Sequence, residues 1–192
     1  MNTNPTELRP GQLKILKAVS TLLENPSGRI TVARLAQEVG VTDAAIYRHY
    51  RSKEDIFQAL MDYMETNFLG TLNTVQQETP NTRLRLERLF SRYMDFFSGH
   101  PGLIRLFLGH GSSEATGLTG RMQMLHSKIR SQVAQILRHG EAQAMLSPNV
   151  TPELGAELFY GLLAGAAMAH VYSLPQLEVV DRWNVYAKTV LR

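Results

Sequence analysis

The chain has 192 residues, of which 44% are hydrophobic and 19% are charged, and its formal net charge is +3. This composition is typical of a globular, soluble protein. No cysteine is present, which excludes disulfides, thiolate zinc sites and cysteine nucleophiles. The absence of cysteine also fits a reducing compartment, so we expect a cytoplasmic protein.

The first part of the chain predicts three helices, near residues 11–24, 31–39 and 43–50. Their apolar residues recur at helical spacing, and no alternating run bounded by a hairpin turn indicates a strand. The breakers at residues 25–28 end the first helix, and Gly40 stands where the second helix needs a residue of positive φ. The predicted fold class is all-α.

Six further helices are predicted near residues 52–77, 80–98, 103–108, 118–144, 152–173 and 175–191. The total of about nine helices divides near Lys53. We therefore predict a three-helix module over residues 1–53 and a helical body over residues 54–192. The most apolar stretch, Leu158 to Ala169, is shorter than the about 20 residues that span a bilayer, so it predicts a core helix and no membrane partner.

Residues 31–50 predict two short helices joined by a tight turn that contains Gly40, which is the helix-turn-helix arrangement. The second helix of this motif enters the major groove of double-stranded DNA with its N-terminal residues facing the bases. Residues 29–53 carry five basic and two acidic side chains, so this segment holds the whole net charge of +3. Positive charge concentrated on one small module indicates contact with nucleic acid.

Roles in this contact follow from side-chain chemistry. Arg48 can pair with guanine or bind phosphate, and Ala44 suits a thymine methyl group. Asp43 has two open roles, because it can accept from a cytosine amine or favour the helix N-terminus electrostatically. Thr42 caps the helix, and the remaining residues predict contacts to the DNA backbone. The predicted DNA-binding set is Thr31, Arg34, Thr42, Asp43, Ala44, Tyr47, Arg48, His49 and Lys53.

The run ITVARLAQEVGVTDAAIYRHYRSKEDIFQAL, from Ile30 to Leu60, resembles the N-terminal domain of the tetracycline-repressor (TetR) family of bacterial regulators. The matching residues are Thr31, Ala36, Gly40, Val41, Ile46, Tyr47, His49, Tyr50, Ser52, Lys53, Phe57 and Leu60. The resemblance implies an all-helical homodimer that acts as a transcription repressor on a near-palindromic site.

The resemblance also implies that the last two long helices form a four-helix bundle across the dimer axis. Gly161, Gly165 and Ala169 recur every fourth residue there and predict a face where a second helix approaches closely. The alternative is a helix buried within its own chain, because small residues also fill tight cores.

A small-molecule effector that binds in the body is a further implication of the resemblance. Aromatic residues and methionines at helical spacing also pack as ordinary core, and this alternative stays open. The candidate lining residues are Phe90, Tyr93, Phe97, Met122, Leu125, His126, Phe159 and His170.

The sequence gives no support to an enzyme. It contains no P-loop, GxGxxG, GxSxG or HExxH motif, and its six histidines form no i, i+4 pair suited to a metal. We therefore predict no catalytic residue, no cofactor and no metal site.

Residues 29–57, 100–111 and 118–138 also resemble one branch of the TetR family, the nucleoid occlusion factors. Members of that branch bind chromosomal DNA and restrain the division protein FtsZ. Two functions therefore stay open, a ligand-responsive transcription regulator and a nucleoid occlusion factor that has FtsZ as a partner. Both predict a protein associated with the nucleoid.

Overall fold

The computed structural model describes residues 8–24, 30–110, 117–175 and 177–192. Its helices are α1 (Pro10–Glu24), α2 (Val32–Val39), α3 (Asp43–Tyr47), α4 (Lys53–Glu78), α5 (Thr82–Gly99), α6 (Pro101–Phe107), α7 (Leu118–Ala142), α8 (Pro152–Val171) and α9 (Val179–Val190). Within these described ranges no strand forms, and one isolated bridge pairs Leu146 with Leu191. The predicted all-α fold of about nine helices is confirmed.

Several helix ends differ from the prediction by a few residues. Helix α6 begins at Pro101, two residues early, because the fixed φ of proline suits the first turn of a helix. Helix α7 ends before Ala144, which adopts a φ of 54° that no right-handed helix accommodates. Helix α3 ends at Tyr47 instead of Tyr50, and helix α9 begins at Val179 instead of residue 175.

The chain forms two compact units, of which the first contains the described parts of Met1–Thr66 and His100–Met122. This unit includes helices α1, α2, α3 and α6 and the beginnings of α4 and α7. Gly102 lies so close to α1 that a Cβ atom there would overlap the Ser20 carbonyl, so only glycine fits. The predicted division at Lys53 concerns the DNA-binding module and stays a prediction.

The second unit contains Asn67–Gly99 and the described parts of Gln123–Arg192. The rings of Phe90 and Tyr186 pack on Phe159 with centroid distances of 5.8 and 5.5 Å, in edge-to-face geometry. The buried Tyr186 hydroxyl donates to the Gly155 carbonyl at 3.1 Å, so its polar end is satisfied. These contacts tie α5, α8 and α9 into one core.

Helix α8 is the one helix in the described part of the chain that is long and apolar enough to cross a membrane. Core helices of soluble proteins pass the same test of length and composition, so the finding is weak evidence for a membrane. Only 39% of the most apolar 18-residue stretch of α8 is buried. The helix therefore presents an apolar face outside its own core.

Candidate DNA interface

Two caps fix the ends of α2. The Thr31 hydroxyl accepts a hydrogen bond from the Arg34 amide at 3.2 Å and satisfies one of the free donors at the helix start. Gly40 has φ 76° and ψ 39°, in the left-handed region, as the sequence predicted. The Val41 amide then donates to the Ala36 carbonyl at 2.9 Å and closes the turn between α2 and α3.

Helix α3, the second helix of the motif, has five residues and depends on tertiary packing for its stability. The Thr42 hydroxyl caps it by accepting from the Ala45 amide at 3.3 Å. Ile46 and, just beyond the helix, Tyr50 are buried and hold the inner side. Burial raises the pKa of Tyr50 to about 12, so its phenol stays neutral at physiological pH.

The outer side of α3 presents the residues that the sequence predicted to contact bases. Asp43, Ala44, Tyr47 and Arg48 are exposed, and the Tyr47 side chain is 51% exposed. Asp43 lies in the first turn, where a carboxylate favours the positive end of the helix dipole. The short helix therefore separates a buried side from an exposed side that carries polar, aromatic and basic groups.

The predicted backbone contacts lie around this helix with different degrees of exposure. Thr31 is exposed at the start of α2, and Arg34 is half-buried one turn later. The Lys53 ammonium donates to the Ile30 carbonyl at 3.2 Å and lies 6.0 Å from the Phe57 ring centroid. This bond ties the half-buried Lys53 to the residue that precedes the Thr31 cap.

His49 and Arg51 flank Tyr50 and differ from each other. His49 is half-buried, and its ring lies against Gly11 at the start of α1. Arg51 is exposed, and its amide donates to the Asp55 carboxylate at 3.1 Å. The predicted set of contacts omitted Arg51, although the charge count over residues 29–53 included it and was the available signal.

None of the candidate effector residues lines an open cavity found among the described residues of α7 and α8. That cavity, of about 430 Å³, lies between α7 and α8, and its lining residues are Ser127, Arg130, Ser131, Ala134, Arg138, Glu153, Ala156 and Glu157. Six candidates are buried core residues, namely Phe90, Tyr93, Phe97, Met122, Leu125 and Phe159. His126 bonds the Tyr160 hydroxyl at 3.0 Å, and His170 is exposed. The effector site stays a prediction.

The candidate dimer residues divide between the two sides of α8. Gly161 and Gly165 are exposed, and apart from their chain neighbours and the local backbone of α8 no described atom lies within 4 Å of a Cβ atom built on either residue. Ala169 is buried within its own chain. The two glycines instead share an exposed stripe with apolar and aromatic side chains; its six members are Leu154, Leu158, Gly161, Gly165, Met168 and Tyr172.

A capped helix-turn-helix with one exposed and one buried side, in a segment that carries the net positive charge of the chain, defines a DNA-binding protein. The sequence profile described as "Bacterial regulatory proteins, tetR family" matches residues 15–60, which include all of this motif.

Relatives extend the match beyond the motif. The chain is 35% identical to the nucleoid occlusion factor SlmA of Shewanella woodyi over 184 residues, which cover 93% of each chain. It is 32% identical to SlmA of Marinobacter nauticus over 182 residues, which cover 92% of this chain and 93% of the relative. The chain belongs to the TetR family of bacterial regulatory proteins and is a DNA-binding regulator, in agreement with the prediction that it is not an enzyme.

Solved structures agree on the fold. The fatty acid degradation regulator FadR from Bacillus halodurans superposes with a TM-score of 0.78 at 15% identity, covering 95% of each chain. The ketosteroid regulator KstR2 of Mycobacterium tuberculosis superposes with a TM-score of 0.76 at 14% identity, covering 97% of each chain. At this identity the likeness establishes the architecture alone.

Proposed function

We propose that the chain is a homodimeric transcription repressor that binds a near-palindromic DNA site through two copies of α3. The observation that carries the proposal is the exposure of Tyr47 and Arg48 on a helix whose opposite side is fixed in the core by Ile46. Repression is the mode of regulation that membership of the tetracycline-repressor family suggests.

In the proposed complex Arg48 reads a base through its donor fork, and Ala44 and Tyr47 contact neighbouring bases or phosphates. Thr31, Arg34, Thr42 and Lys53 contact the DNA backbone and fix the register of the module. Asp43 lies closest to the capped end of α3, where it accepts from a cytosine amine if a cytosine is present. The burial of Ile46 supports this assignment, because it sets the rotation of α3 and so determines which of its residues face outward.

The exposed stripe on α8 supports the proposed dimer. Its members recur at alternate spacings of three and four residues, the period of a helix that packs lengthwise on another helix. Gly161 and Gly165 at the centre of the stripe allow two backbones to approach closely, while Leu158 and Met168 supply apolar area on either side. A twofold axis through this stripe brings it against its own copy, as closed dimers require.

A small-molecule effector that binds in the body is the remaining part of the proposal. The solved regulator FadR from Bacillus subtilis is in complex with stearoyl-CoA and has a TM-score of 0.72 and 18% identity to this chain. Repacking of the buried aromatic candidates would be needed to admit a ligand among them, because Phe90 and Phe159 pack directly on each other.

Nucleoid occlusion is the second candidate function. It is favoured by the identity of 35% to SlmA, which extends over the body as well as over the DNA-binding motif. In this case the protein binds many chromosomal sites, FtsZ is its partner, and its location is cytoplasmic and nucleoid-associated. DNA binding through α3 is common to both candidates, so the body determines which is correct.

Genome-wide mapping of bound sites separates the two candidates, with the Arg48→Ala variant as the control for binding through α3. A few sites at promoters, whose genes rise in expression when the protein is deleted, would support the repressor. Dozens of sites spread over the chromosome, together with capture of purified FtsZ by the DNA-bound protein, would support nucleoid occlusion. Sites equally occupied by the variant would contradict the proposed DNA interface.

A further inference from the structure

The ring of His49 lies against Gly11, in the first turn of α1. A Cβ atom built on Gly11 would lie 2.6 Å from both Cε1 and Nε2 of His49. Real Cβ contacts are longer than this, so any side chain at residue 11 would require the His49 ring to shift from its present position. The Nδ1 atom of the same ring is also buried, and it has no hydrogen-bond partner among the described residues.

This environment does not suit a phosphate contact. The Nδ1 atom has no access to a ligand, and Nε2, the other ring nitrogen, lies against the α1 backbone. The ring instead fills the space between the end of α3 and the start of α1. The backbone ties it closely to α3, because the His49 amide donates to the Ile46 carbonyl at 2.9 Å.

Helix α3 needs such a contact because it has only five residues. Its N-terminal end is fixed by the Thr42 cap, and its middle is fixed by the buried Ile46 side chain. The C-terminal end meets the longer helix α1, of 15 residues, through the contact between His49 and Gly11. Loss of that contact would leave the end nearest to Tyr47 and Arg48 free to tilt.

We propose that His49 is a positioning residue that fixes the C-terminal end of α3 against α1, in place of the phosphate contact that its sequence position predicted. The proposal rests on the proposed DNA-binding function of α3 and adds a residue that acts without touching DNA. It pairs His49 with Gly11, a residue outside the motif.

The test compares Gly11→Ala, His49→Ala and the double variant by DNA affinity. A positioning role predicts that each single variant weakens binding by about tenfold, Gly11→Ala because its methyl displaces the ring and His49→Ala because it leaves a gap. In the double variant the methyl group fills part of that gap, so binding should be stronger than in His49→Ala alone. The same Gly→Ala change at Gly120, an exposed position of α7, controls for helix propensity.

Amide hydrogen exchange of the DNA-free protein gives a second readout that a phosphate contact would not alter. The amides of Arg48 and Tyr50, which donate to the Ala44 and Ile46 carbonyls, should exchange about tenfold faster in His49→Ala and recover partly in the double variant. Unchanged exchange in His49→Ala, or no rescue of DNA binding by the added methyl, would overturn the proposal. If the wild-type chain bound no DNA, the proposed function would fail, while exchange would still test the contact.

Discussion

The Gly165→Glu substitution tests the proposed dimer with little effect on the protomer. Gly165 is exposed on α8, and no described atom beyond its chain neighbours and the local helix backbone lies within 4 Å of a Cβ atom built there, so a larger side chain is accommodated. Replacing glycine in an exposed helix interior stabilises that helix by up to about 1 kcal/mol. The thermal midpoint of the isolated protomer should therefore not fall.

The dimer should respond in the opposite direction. Across a twofold axis the substitution places two carboxylates against each other on an apolar stripe, and desolvation alone costs several kcal/mol per ion. The dissociation constant should rise by roughly three orders of magnitude or more. Analytical ultracentrifugation should give a wild-type dimer and a folded Gly165→Glu monomer at micromolar concentration.

The control for this experiment is Gly120→Glu, which adds the same charge at an exposed helical glycine of α7. It should remain a dimer. A wild-type monomer, or a Gly165→Glu variant that sediments as the wild type does, would refute the assignment of the α8 stripe to a second copy. Recovery of the wild-type chain with lipid vesicles would instead assign the apolar face to a membrane.

Three further predictions concern the DNA-binding module. Lys53→Ala should weaken binding to cognate and scrambled DNA about equally and reduce the salt slope by about one, measured by fluorescence anisotropy; altered sequence preference at an unchanged slope would contradict the phosphate role. Thr42→Ala removes the cap of α3 and should lower the free energy of unfolding in urea by about 1 kcal/mol, with Thr74→Ala on the exposed surface of α4 as the control. Tyr50→Phe should leave stability at pH 7 nearly unchanged, since the buried hydroxyl has no partner among the described residues. Its raised pKa, about 12 against 10.0 for a free tyrosine, favours the neutral folded form, so wild-type stability should fall as pH rises through that interval and the phenylalanine variant should fall less.

Local rules predicted the motif well. Thr31 and Thr42 cap the helices that follow them, and Gly40 adopts positive φ, as their spacing indicated. These features depend on residues within a few positions of each other, which is the range over which sequence spacing carries structural information. The exposed side of α3 followed from the same short-range reasoning, because the buried Ile46 determines which residues point outward.

Contacts between distant segments could not be predicted in this way. Nothing near His49 in the sequence indicates that its ring packs on Gly11, because that contact depends on how α1 crosses the end of α3. The small-residue face on α8 shows a different limit. A repeat of four residues drifts around a helix of 3.6 residues per turn by about 40° per step, so Ala169 has turned inward while Gly161 and Gly165 remain exposed.

Binding-site selection with the wild-type chain and Arg48→Ala tests the central claim most directly. The wild type should enrich a near-palindromic sequence whose half-sites lie about one helical turn of DNA apart or a multiple of it. Arg48 is exposed, so its removal should leave the fold intact, cost about 1–3 kcal/mol on the selected site and relax one position in each half. Selection of the same motif by both proteins would exclude base reading by Arg48, and the absence of any enriched motif with the wild type would contradict sequence-specific binding through α3.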